Sequence, residues 1–148
     1  MKLAKALKEK NRLVGDIKRL QAILQRENSR LSTSTSKFDL GEVVQSLADQ
    51  TEKLIELKSA IFAANAGIYK KILKMGELKA HIAFLSTLDT RDGESPVNTF
   101  GSGMSLTETR KAYYRIEDID GITVDFQKKI AQLQDEIDEY NGITEVAI

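Results

Sequence analysis

The stretch from Asp39 to Ile68, DLGEVVQSLADQTEKLIELKSAIFAANAGI, decides the fold. Leu40, Val44, Leu47, Thr51, Leu54, Lys58, Ile61, Asn65 and Ile68 recur at spacings of four and three, the seam spacing of a helix packed lengthwise against another helix. Ile55, Phe62 and Tyr69 form a second row beside it and widen the face to be buried. Asp39 reads as the N-cap, with Glu42 as its capping-box partner and Phe38 placed to staple onto Val43. Lys58 and Asn65 fall inside the seam. A polar seam residue lowers stability but fixes register and partner number, so both are interface candidates.

Upstream, Leu3, Leu7, Val14, Ile17, Leu24 and Leu31 predict a first helix from about Leu3 to Leu31, with Ala6, Leu13 and Leu20 on its flank. Lys10, Gln21 and Asn28 interrupt that stripe, and Asn28 joins the register candidates. The polar tract Ser32 to Ser36 is a short connection, which makes an antiparallel hairpin the simplest topology.

Downstream, Ile68, Ile72, Met75, Leu78, Ile82 and Leu85 give the inner face of a third helix reaching Leu88, with Gly67 either breaking or bending the chain before it. Phe126, Ile130, Leu133, Ile137 and Tyr140 give a final helix that closes near Asn141-Gly142. Between them, Asp92-Gly93, Pro96, Gly101 and Gly103 exclude a regular element of any length and predict a flexible loop at about 89–109. Alternation at Ala112, Tyr114 and Ile116, with the turn signal Asp120-Gly121, allows a small β-hairpin near residues 111–124, helix being the alternative. The expected fold is therefore mainly α: a long antiparallel helical hairpin within a coiled-coil helical bundle, residues 1–148 forming a single helical domain.

Composition bounds the chemistry. The 148 residues contain no Cys, one His and one Pro, with 30% charged and 6% aromatic residues. Thiolate metal sites, disulfides and Cys nucleophiles are excluded. No run approaches the roughly 20 apolar residues that cross a bilayer, and the Lys-rich opening lacks a signal-peptide core, so cytoplasm is the expected location. Net charge is zero but unevenly spread. Residues 1–37 carry ten Lys or Arg against three acids, and residues 115–148 carry three against nine. Neutralisation of one terminal helix by the other, within a chain or across a dimer, explains this most simply. A nucleic-acid face is the functional alternative, with Lys8, Arg12, Lys18, Arg19 and Arg26 as contacts. These residues spread around several helix faces, and no aromatic stands among them to stack on bases.

No motif adds catalysis. Gly101-Ser102-Gly103 lacks the spacing and the Lys of a phosphate loop. His81 with Glu77 falls short of a zinc ligand set. Asp118-Ile119-Asp120-Gly121 lacks the later ligands of a calcium loop, and no nucleophile elbow is present. No catalytic residue, metal ligand or cofactor is expected.

Met1-Lys2-Leu3-Ala4-Lys5-Ala6-Leu7, Ile61-Phe62-Ala63-Ala64-Asn65 and the closing Leu133-Gln134-Asp135-Glu136-Ile137-Asp138-Glu139-Tyr140-Asn141 together resemble the septicolysin-like family. These are small bacterial coiled-coil proteins of uncharacterised function. Gly142 stands where relatives tend to carry an aromatic. The resemblance implies a coiled-coil protein and assigns no activity; its label hints at a toxin, without a membrane-inserting segment here to match. Asn65 and Asn141, each closing an apolar run, are expected to cap helix ends or hydrogen-bond across a helix interface.

The expected role is a non-enzymatic scaffold or protein–protein interaction module, a homo-oligomer joined through helix seams or bound to an unknown protein partner. An RNA- or DNA-binding helical arm is the second reading and a membrane-active factor the third.

Overall fold

A computed structural model describes residues 1–98, 101, 103 and 105–148. Its elements are α1 (Leu3–Glu27), α2 (Leu40–Asn65), α3 (Tyr69–Leu85), β1 (Gly93–Asn98), β2 (Ser105–Arg110) and α4 (Ile116–Ile143). The fold is mainly helical, as the sequence periodicity predicts, with one small antiparallel hairpin among the described residues. Contacts divide the chain into two compact units, Met1–Tyr69 with Ile137–Ile148, and Lys70–Glu136.

In the first unit α1 and α2 pack antiparallel. Leu3, Ala6 and Leu13 from the start of α1 share a core with Leu57 and Ile61 from the end of α2. At the other end Leu20 and Ile23 meet Val43. Asp39 caps α2 as expected, accepting from the Glu42 amide at 3.2 Å.

The buried face differs by one residue per heptad from the expected seam. Leu40, Leu47, Leu54 and Ile61 turn inward as predicted, but Val43, Gln50, Leu57 and Ala64 complete the face in place of Val44, Thr51, Lys58 and Asn65. Burying the Lys58 ammonium would require desolvating an unpaired charge, whereas turning the helix slightly buries Leu57. On α1 the same shift brings in Ala6, Leu13 and Leu20, the residues expected on the flank. Gln50 now sits in the seam, its Oε1 buried without a hydrogen-bond partner among the described residues.

α1 ends at Glu27 rather than Leu31, which is 78% exposed. Between Leu24 and Leu31 the chain offers no apolar residue to bury, and a Ser34 turn closes on the Leu31 carbonyl instead. Phe38 stands over the Arg26 guanidinium at 5.9 Å.

Gly67 breaks the helix: residues 66–68 form a turn between α2 and α3. A Cβ at Gly67 would lie 2.6 Å from the Tyr140 hydroxyl oxygen. That hydroxyl donates to the Ala64 carbonyl at 2.8 Å, satisfying one of the acceptors a helix end leaves open.

In the second unit the predicted inner face of α3 holds. Ile72, Met75, Leu78 and Ile82 are half-buried and Leu85 is buried. On α4 Ile119 and Leu133 are buried, with Phe126 and Ile130 half-buried. Lys71 pairs with Glu136 at 2.7 Å and the His81 ring meets Phe126 at 5.4 Å. Rising numbers on α3 thus meet falling numbers on α4, an antiparallel pair.

The hairpin lies at 93–110, within the segment expected to be loop, and not at 111–124. Gly93 pairs with Arg110 and Val97 with Leu106. Both strands of a two-stranded sheet are edges, so Pro96 costs no central ladder bond. Gly93 supplies a φ of 97° at the entry, and Asp92 Oδ1 closes the base by accepting from the Ala112 amide at 2.9 Å. Of the expected flexible loop, residues 99, 100, 102 and 104 lie outside the described residues.

Residues 116–124 are helical. Asp118 accepts from the Arg115 amide at 3.0 Å, and Glu117 beside it places a second carboxylate in the first turn. The local capping and dipole terms override the Asp120-Gly121 turn signal.

Candidate interaction surfaces

The one-residue shift leaves a second apolar row on the outside of α2. Val44 is 50% exposed, Ile55 54% and Phe62 78%. They recur at helical spacing along one flank of the face that meets α1, with exposed Lys58 among them. Of the other register candidates, Asn28 is exposed at the end of α1, and its backbone amide closes on the Leu24 carbonyl at 2.9 Å. Asn65 and Asn141 are half-buried. The contact that ends α2 is made one residue before each, by Ala64 and Tyr140.

The basic face of α1 is partly spent within the helix. Arg12 grips Glu9 at 2.6 and 2.9 Å and reaches Asp16 at 2.6 Å. The hydrogen bonds that Arg12 gives Glu9, with the charges of Arg12 and Lys5, hold the Glu9 carboxyl below its ordinary pKa. Arg26 pairs with Glu27 at 3.3 Å. Lys8, Lys18 and Arg19 are exposed and make no ion pair among the described residues.

The expected neutralisation between terminal segments occurs at Glu145. Glu145 receives the Lys2 ammonium at 2.8 Å and the Met1 amine at 2.9 Å. Around it the backbone is stitched: the Leu3 amide donates to the Thr144 carbonyl and the Val146 amide to the Met1 carbonyl, each at 2.8 Å. Val146 is thereby seated against Leu3 in the core. Lys2 offers no side-chain cap to α1, so the Thr144 carbonyl takes the first amide of α1 instead. Hydrogen bonds from Lys2, then from the terminal amine, pull the Glu145 pKa from 4.5 to about 2. A depressed carboxyl pKa contributes stability that is full above the unfolded value and is lost as pH falls towards the folded one. The thermal midpoint of the chain is therefore expected to fall between about pH 4.5 and pH 2, and to fall less in Glu145→Gln, as followed by circular dichroism. Identical pH profiles for the two proteins would remove Glu145 from the clasp.

A third surface was not anticipated. Lys70, Lys71 and Lys74 on α3 face Lys129, Gln132 and Glu136 on α4 across a groove of about 480 Å³. Glu136 takes Lys71, and that hydrogen bond, with the charge of Lys74, lowers its pKa. Three Lys within five residues were visible in the sequence; the facing Lys129 appears only once α3 and α4 are aligned antiparallel.

No family model, curated protein or solved structure matches the chain. His81 is packed edge-on against Phe84 and Phe126, at 6.0 and 5.4 Å. Among the described residues no three His, Asp or Glu side chains gather as a metal site, and no helix is long and apolar enough to cross a membrane.

Proposed function

We propose that the chain is a non-enzymatic helical scaffold, a cytoplasmic protein–protein interaction module that self-associates through a helix seam. One observation carries the reading: α2 spends one face on α1 and leaves Val44, Ile55 and Phe62 in solvent along another. Exposed large apolar side chains recurring along one side of a charged helix suit contact with another protein, and aromatic residues are enriched at such contacts. Symmetric self-association is the commonest way to cover such a row.

The nucleic-acid reading is favoured by a different observation, the exposed Lys8, Lys18 and Arg19 on α1, which make no ion pair among the described residues. Light scattering separates the two. The wild-type mass is expected at a multiple of 16.5 kDa, reverting to the monomer in Phe62→Lys with helicity retained. A wild-type monomer at every concentration would overturn the scaffold reading. If that monomer also retained tRNA on filters at low salt and released it at high salt, the helical-arm reading would replace it.

A further inference from the structure

The groove between α3 and α4 concentrates positive charge, four lysines against one carboxylate in its lining. Lys70, Lys71, Lys74 and Lys129 line it around the buried Leu133. Its one carboxylate, Glu136, is held by Lys71 at 2.7 Å and accepts from Gln132 at 3.5 Å. The ammonium groups of Lys70, Lys74 and Lys129 have no ion-pair partner among the described residues. Lys129 is steadied by the Phe126 ring, 5.6 Å away, on its own helix. Like charges crowded along one cleft repel, and an anion with several charges relieves that repulsion at all of them at once. Each ammonium also gains charge-assisted hydrogen bonds.

We infer that this groove binds an oligophosphate, a short run of linked phosphates, free or as the tail of a nucleotide. Lysine presents a point charge with rotatable donors, which suits phosphate oxygens approaching from different directions. A single monovalent anion would leave two of the three ammonium groups uncompensated. No aromatic side chain lines the groove, so nothing there stacks a base, and recognition rests on the phosphates. The site is independent of the α2 surface and stands or falls separately from self-association.

Calorimetric titration of the full chain with orthophosphate, pyrophosphate, tripolyphosphate and ATP tests the assignment. Affinity is expected to rise along the first three, with ATP and tripolyphosphate within about threefold of each other, and to weaken as salt screens the charges. Lys74→Gln with Lys129→Gln, both on exposed positions, is expected to weaken tripolyphosphate by roughly tenfold or more. The α1 control Lys8→Gln with Lys18→Gln is expected to leave it unchanged. Equal affinity for orthophosphate and tripolyphosphate, or indifference to the Lys74 and Lys129 substitutions, would overturn the site. ATP binding far tighter than tripolyphosphate would move recognition to the base and overturn it too. Retention of tRNA through these lysines without tripolyphosphate binding would reassign the groove to a nucleic-acid backbone.

Discussion

Leu57→Ala is expected to destabilise the first unit by about 2–5 kcal/mol, the range for truncating a buried leucine. In urea the midpoint should drop with little change in slope. Leu57 is 4% exposed and packs among Leu3, Leu13, Ile61 and Val146, drawn from three segments that cannot all close inward on the space left. The diagnostic comparison is Val44→Ala. Val44 occupies the seam that four-and-three spacing predicts, yet half its surface meets solvent, so its truncation should stay within about 0.5 kcal/mol. Losses of similar size at the two positions would restore the original seam and turn α2 back towards Lys58.

That comparison marks how far the sequence could be read. Leu40, Leu47, Leu54, Ile61 and Ile68 are common to both possible seams, so helix existence, length and pairing followed from them directly. What separates the seams is the second row. Val43, Gln50, Leu57 and Ala64 carry no charge, while Val44, Thr51, Lys58 and Asn65 include an ammonium. The difference was therefore in the sequence, and the desolvation cost of Lys58 decides it. The outer row of Ile55 and Phe62 is the consequence: expected to widen the core, it became the exposed surface.

The hairpin was less legible. Gly93, Pro96, Gly101 and Gly103 oppose a long element, but a two-stranded ribbon has only edges and tolerates what a central strand does not. Val97, Thr107 and Thr109 are the residues in these strands with a preference for strand. The lysine groove was legible on one side only. Lys70, Lys71 and Lys74 are neighbours in sequence, whereas Lys129 joins them through a helix alignment that no local pattern encodes.

Gly67→Ala is expected to cost about 1–3 kcal/mol, the range for inserting a methyl group into filled space. Its Cβ would meet the Tyr140 hydroxyl oxygen at 2.6 Å, and that oxygen is held in place by its 2.8 Å bond to the Ala64 carbonyl. The neighbour cannot yield without opening the end of α2. Tyr140→Phe alone should cost about 1 kcal/mol, because it takes the donor from a helix-end carbonyl. In the double variant the two losses should not add. With the oxygen gone, the nearest remaining ring carbons stand at 3.3 and 3.4 Å, a distance that a small ring displacement relieves. Gly67 also lies outside the positive-φ glycines, so alanine there restricts the unfolded chain at no backbone strain, worth about 0.4–1 kcal/mol in the stabilising direction. Gly67→Ala is therefore expected to be near neutral in the Tyr140→Phe background, a coupling of at least about 1 kcal/mol in a denaturation cycle. Additive losses would mean that the break between α2 and α3 does not depend on the Tyr140 hydroxyl filling the space beside Gly67.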